Sequence, residues 1–140
     1  MISTRGRYAI RTVIDLAQNQ GEGYVSLKDV AKRQEISKKY LEQIIPLLNR
    51  SGILLTARGF QGGYRLAKPA SEITAADILR ETEGGLAPVA CLSGKENTCP
   101  RQNGCITLPL WQGLYDVMFD YLEKITVQSL IDDYNKTAEL

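Results

Sequence analysis

Residues 37–66, SKKYLEQIIPLLNRSGILLTARGFQGGYRL, decide how this chain folds. In the first part Ser37 can cap a helix running from Lys38 to about Arg50, and Leu41, Ile44, Ile45 and Leu48 repeat at helical spacing as one apolar stripe. The period then changes. Ile53 to Ala57 is rich in β-formers, Gly59-Phe60-Gln61-Gly62-Gly63 is a turn, and Tyr64-Arg65-Leu66 suits a returning strand. A helix followed by a glycine-rich hairpin predicts the second half of a winged helix-turn-helix.

Working back towards the N-terminus, Tyr8, Ala9, Val13, Leu16 and Ala17 predict an amphipathic helix stopped by Gly21-Glu22-Gly23. Ser26 with Asp29 three residues on has a capping-box pattern and starts a second helix through Val30 and Ala31. Only the short turn at Gln34-Glu35-Ile36 separates it from the helix capped by Ser37, a connection that fits a helix-turn-helix better than a bundle hairpin. Pro46 lacks an amide donor and crowds the carbonyl of Glu42, so it should bend the third helix or end its regular part early; we expect a tolerated kink.

Charge supports a polyanion-binding role for this half. The chain of 140 residues has a net charge of only +1. Residues 1–70, however, hold 12 Lys and Arg against 5 Asp and Glu, a net of +7, and residues 71–140 hold 5 against 11, a net of −6. In a head of this type the early residues of the third helix face a DNA major groove. Those are Lys38, Lys39, Tyr40, Glu42 and Gln43. Gln can pair with an adenine edge, Glu can accept from a cytosine amino group, and Lys can reach phosphate or guanine. Arg5, Arg7 and Lys28 are candidates for phosphate contacts that set register. Arg58 is placed to enter a minor groove, and Gly59 and Gly62 allow the wing backbone to approach closely. Any one of these cations read alone is as well explained as a solvated surface charge.

Composition closes other routes. There is no histidine, which excludes Ser–His–Asp and Cys–His catalysis, HExxH zinc hydrolysis and histidine-ligated metals. No apolar run approaches the roughly 20 residues of a membrane span, and the start lacks the apolar core of a secretory signal, so a cytoplasmic protein without membrane attachment is expected.

Beyond the head, Thr74 to Glu83 reads as a fourth helix, with Ala75, Ala76, Ile78 and Leu79 as its contacts and Gly84-Gly85 as its stop. Residues 86–107, LAPVACLSGKENTCPRQNGCIT, show no sustained periodicity and hold all three cysteines, Cys91, Cys99 and Cys105. An irregular stretch this long is usually functional or disordered. Three readings stay open: a disulfide framework, disfavoured by the odd count; buried structural thiols, disfavoured by polar neighbours such as Thr98, Gln102 and Asn103; and ligands of a soft metal centre needing a fourth ligand from elsewhere. From Leu108 a long helix carries Trp111, Leu114, Met118, Tyr121 and Ile125 at spacings of 3, 4, 3 and 4. This seam is either a core contact or a dimerisation face, the latter suiting a head that gains affinity by pairing on a two-fold operator. Val127 to Ile131 should add a short docking helix, with a frayed tail after Asn135.

STRGRYAIR at residues 3–11, ISKKYLEQ at 36–43, RGFQGGYRL at 58–66, the cysteine loop and LPLWQGLYDVMFDYLEKITVQSLI at 108–131 together resemble the IscR-type family of bacterial winged-helix regulators, over about residues 1–133. The resemblance implies a homodimeric transcription regulator on double-stranded DNA, with no small-molecule substrate and no catalysis. It implies an iron–sulfur cluster held by Cys91, Cys99 and Cys105, 2Fe–2S rather than 4Fe–4S, with Tyr40, Glu42 and Gln43 reading bases and Arg58 in the minor groove. The chain departs from the IscR branch in two places. Seven residues rather than five separate its first two cysteines, and Leu108 stands where that branch has a histidine ligand. Thr107, Glu96, a group from a partner subunit or a small thiol could complete the site. Other branches are controlled by a partner enzyme, without these cysteines, or sense nitric oxide through a cluster.

The expectation is therefore a mostly α protein with a small β-hairpin wing: head 1–70, linker helix and cysteine loop 71–106, dimerisation helices 107–133 and tail 134–140. Its function would be regulation of transcription, most simply repression, in response to iron–sulfur status. The alternatives are a relative controlled by a protein partner or by thiol or nitric oxide chemistry, with free or zinc-bound cysteines, and a thiol redox protein. The last leaves the wing and the basic head without a purpose.

Overall fold

Serine side chains open each of the first three helices. In the computed structural model, which describes residues 2–139, Ser3 accepts from the Gly6 amide, Ser26 from Asp29 and Ser37 from Tyr40. Each satisfies one of the amides that a helix start leaves without a partner. The helices are α1 (Thr4–Asn19), α2 (Leu27–Gln34) and α3 (Lys38–Arg50). The turn between α2 and α3 passes through Glu35 in the left-handed region, φ 54°, and the Ile36 amide closes it onto Ala31 O. Pro46 does not end α3, which stays helical to Arg50. Pro46 is exposed, so water can serve the Glu42 carbonyl that proline leaves without a donor.

The apolar stripes of these helices meet in one core. Ala9, Val13, Leu16, Val30, Leu41, Ile44 and Leu48 are completely buried in it. Each large member stabilises the fold by about 1.5–3 kcal/mol relative to exposure. The wing consists of β1 (Leu54–Ala57) and β2 (Gly63–Leu66), antiparallel with Leu54 opposite Leu66 and Ala57 opposite Gly63. Tyr64 also pairs with Val25 through two 2.8 Å backbone hydrogen bonds, which ties the hairpin to the segment leading into α2. Gly63, φ 150°, is needed for that pairing, because a side chain there would collide with the Val25 carbonyl.

Helix α4 (Ala75–Glu83) has a reciprocal capping box between Thr74 and Asp77 and ends on Gly84 at φ 73°. Its N-terminal flank is stitched to the C-terminal part of the chain: Ala75 N–H donates to Ile125 O and Val127 N–H to Ile73 O. Helix α5 (Leu108–Lys124) therefore stops short of Ile125, whose backbone is extended for this pairing. Ile125 is thus removed from the helical seam expected of it. Helix α6 (Val127–Ala138) is longer than the short docking helix expected and runs through the segment expected to fray. A Thr126–Ser129 capping box starts it, and Gln128 donating to Asp132 and Thr137 to Asp133 O support it along its length. Val127 is buried in the same core as α1 and α3, with Ile131 packed at its margin. Among the described residues no helix is long and apolar enough to cross a membrane.

Candidate nucleic-acid interface and cysteine loop

The end of α3 expected to face a DNA groove begins at the Ser37 cap, directly after the tight α2–α3 turn. Lys38, Lys39, Glu42 and Gln43 are exposed there, on the side opposite Leu41, Ile44, Ile45 and Leu48. Tyr40 differs from them. It is half-buried and meets Tyr8 of α1 edge-on, with ring centroids 5.4 Å apart. It thus packs α3 against α1 and offers only part of its ring and hydroxyl to a ligand. Lys28 is exposed on the first turn of α2, and Arg58 and Gly59 are exposed where β1 ends. Gly62 has a structural duty in the wing: its N–H closes the turn onto Gly59 O at 3.1 Å, and a Cβ there would collide with the Ala57 and Arg58 backbone.

Several cations of the basic half are committed inside the molecule. Asp15, 1% exposed, accepts from Arg33 Nε at 3.0 Å and Nη2 at 2.8 Å and from Gln34 Nε2 at 3.0 Å. The Asp15 hydrogen bonds raise the Arg33 pKa further above the physiological range. Arg11 donates to the Gln34 side chain and carbonyl and lies over the Tyr8 ring at 5.2 Å. Together these fix α2 across α1 and set the angle at which α3 is presented. The sequence reading counted Arg11 and Arg33 only as charge; residues 18 or more apart give no local sign of such a pairing. Arg65 donates to Gly23 O and stacks on Tyr24, while Arg5 donates to Thr82 O at 2.9 Å. Arg7 donates to Thr4 Oγ1 on its own helix and remains exposed.

Arg5 belongs to a second tie that the sequence reading missed. Glu83, at the end of α4, accepts from both the amide and the hydroxyl of Ser3, at 3.1 and 2.7 Å. A carboxylate beside the N-terminus of α1 is favoured by the helix dipole. The last residues before the cysteine loop are thereby fastened to the start of the head.

The loop itself contains only two short 3-10 turns, Ala90–Leu92 and Gln102–Gly104. Cys91, Cys99 and Cys105 are free thiols, each half-buried. Cys105 Sγ lies 3.4 Å from Thr107 Oγ1, and this hydrogen bond, aided by the backbone of Thr107 and Leu108, holds the thiol below its ordinary pKa. A lowered pKa favours the thiolate, the form that binds metals. The donor set therefore suits a thiolate-held centre. The arrangement is open: among the described residues no three Cys, Asp or Glu side chains gather as a metal-binding group. Ligation by all three thiols requires the loop to close.

Helix α5 has two apolar faces. Tyr115, Phe119 and Leu122 pack on Ala76, Leu79 and Leu86. Leu110, Leu114, Val117 and Tyr121 are exposed, at 60, 41, 68 and 64%, flanked by half-buried Trp111 and Met118.

A three-helix head with a paired wing and a polar, cationic face at the start of its third helix defines a winged-helix regulator of DNA. The chain belongs to the Rrf2 family, described as iron-dependent transcriptional regulators, whose model matches residues 2–133. Its relatives include the protein rrf2 of Nitratidesulfovibrio vulgaris, 38% identical over 133 residues that cover 94% of this chain and 87% of that protein. Among solved structures it is similar to T. potens IscR, with a TM-score of 0.77, 34% identity and coverage of 98% of this chain and 90% of that one. It is also similar to CymR, the global cysteine regulator of B. subtilis, with a TM-score of 0.74, 36% identity and coverage of 93% and 95%. Other relatives, in Neisseria meningitidis and Pectobacterium carotovorum, are named as HTH-type transcriptional regulators, one of them putative, and not as enzymes.

Proposed function

We propose that this regulator binds a two-fold DNA operator as a homodimer and responds to iron–sulfur status through Cys91, Cys99 and Cys105. The observation that carries the reading is the combination of an exposed Lys38, Lys39, Glu42, Gln43 face on a rigidly seated α3 with a three-thiol loop fastened to the same head through Glu83. Likeness to a chain named IscR supports it. Lys28, Lys38 and Lys39 would contact phosphate or guanine, Glu42 and Gln43 would read base edges, and Arg58 would enter the minor groove with Gly59 allowing close approach. Tyr40 would contribute from its half-buried position.

The three cysteines would hold an iron–sulfur cluster, 2Fe–2S rather than 4Fe–4S, which when bound supplies a bridge sensitive to iron and oxidant. Closing of residues 91–105 around their thiolates would shift the balance between arrangements of the two heads, and so the preferred operator, with repression as the simplest outcome. The exposed face of α5, on which Leu114 and Tyr121 are open to solvent with Trp111 and Met118 half-buried beside them, is the proposed dimer seam. Such a protein works in the cytoplasm, where DNA is present and thiols stay reduced.

Anaerobic reconstitution with iron and sulfide, followed by absorbance and metal analysis, tests the cluster. Visible absorbance that disappears in Cys99→Ala while the far-UV circular dichroism is kept is the expected result. A colourless protein without iron or sulfide overturns it. That outcome would favour a second reading, supported by the open thiol arrangement and the likeness to CymR: a regulator controlled by a protein partner or by oxidation of free thiols.

A further inference from the structure

The turn at the end of the wing places Phe60 and Gln61 as its two central residues, because the Gly62 amide bonds Gly59 O across them at 3.1 Å. They are the outermost side chains of the hairpin. Phe60 is 103% exposed, the highest value among the exposed large apolar side chains of the described residues, and among those residues no aromatic or cationic partner covers its ring. Gly59 at φ 102° on one side and the sterically confined Gly62 on the other leave the ring standing clear of the wing backbone. Arg58, also exposed, directly precedes this turn, and Gln61 is exposed beside it.

An arginine, an amide side chain and a bare aromatic ring on one narrow tip match the chemistry of minor-groove binding. There the cation answers the negative potential of a narrow groove, the amide bonds the acceptors on the groove floor, and an apolar wedge inserts at a base step. A protein surface would equally welcome the ring, but the tip carries no second apolar residue to build a patch and sits on the cationic half of the chain. We propose that Phe60 is a minor-groove wedge that enters beside Arg58, partly unstacks a flexible base step, and thereby selects operators by deformability at a position where no base edge is read. This rests on the DNA-binding reading above and adds a contact that Arg58 alone does not supply.

The test uses the full-length chain and a 30-base-pair duplex selected by it from a random pool, with adenines of flexible steps near the wing replaced in turn by 2-aminopurine. Wild type should raise 2-aminopurine fluorescence at one step. Phe60→Ala should abolish that rise and weaken binding about tenfold, with the salt dependence unchanged because no phosphate contact is lost. Phe60→Leu, which keeps a wedge, should retain both the rise and most of the affinity. Arg58→Ala should instead lessen the salt dependence. The Phe60 ring touches nothing in the fold, so the variants should melt with wild type. Binding of Phe60→Ala within twofold of wild type, with the fluorescence rise intact, would overturn the wedge while leaving the DNA reading in place. Loss of self-association in Phe60→Ala with unchanged DNA binding would overturn it in favour of a contact with a second copy. Failure of wild type to enrich any duplex at low salt would overturn the DNA-binding reading itself.

Discussion

Helices α3 and α5 carry apolar residues at the same helical spacing and meet opposite fates. Leu41, Ile44, Ile45 and Leu48 of α3 are at most 3% exposed, whereas no residue of the 17-residue α5 is buried. One stripe of α3 faces a core enclosed by α1, α2, α4 and the wing. The apolar residues of α5 divide between a face laid on α4 and a face turned to solvent. Periodicity therefore reports that a stripe seeks cover, and it leaves open whether the cover lies within the chain or outside it.

Substitutions can break this contrast, and the largest effect belongs to α3. Leu48→Ala should cost about 3 kcal/mol of unfolding free energy in urea, from lost transfer energy and a residual cavity. An equal loss from Leu114→Ala at protein concentrations low enough for monomer would show that α5 is covered within its own chain. Arg33→Ala should cost about 2 kcal/mol by the same measurement: it strips two hydrogen bonds from buried Asp15, yet Gln34 still donates and the arginine site is open enough for water to enter. Thr74→Ala should cost about 1 kcal/mol by removing one arm of the α4 capping box. Val117→Lys should leave monomer stability within about 0.5 kcal/mol, because Val117 is 68% exposed. It should nevertheless weaken self-association in sedimentation equilibrium at least about tenfold, since burying an unpaired charge at an interface is costly. Unchanged association would overturn the proposed dimer seam on α5.

The head was largely legible because its signals are local. Ser26 and Ser37 cap where their chemistry requires, α3 runs from Lys38 to Arg50 as its stripe predicts, and the strands fall on either side of the glycine turn. Where reading by pattern failed, a distant partner decided. Ile125 fits the α5 seam by spacing but is drawn out of the helix by the Ala75 amide, some 50 residues earlier in the chain. Tyr40 looks like a base reader by position and is partly occupied by Tyr8. The commitment of Arg33 to Asp15, and of Glu83 to Ser3, could not be seen because nothing nearby in sequence marks either pair. The loop of residues 86–107 offered composition without periodicity, so its cysteines could be nominated as ligands but not placed. Phe60 did carry a readable signal: an aromatic residue inside a glycine turn has no reason to be there for packing.

The tie between Ser3 and Glu83 bears on how the chain is made. Synthesis delivers α1 first, yet the carboxylate that meets its N-terminus, and the Thr82 carbonyl that receives Arg5, are translated some 80 residues later. Val127, which completes the core beneath α1 and α3, comes later still. On the ribosome α1 can complete these particular contacts only after α4 and then the start of α6 have emerged. The helices that precede the cysteine loop thus reach their final packing only with help from residues that follow them in the chain.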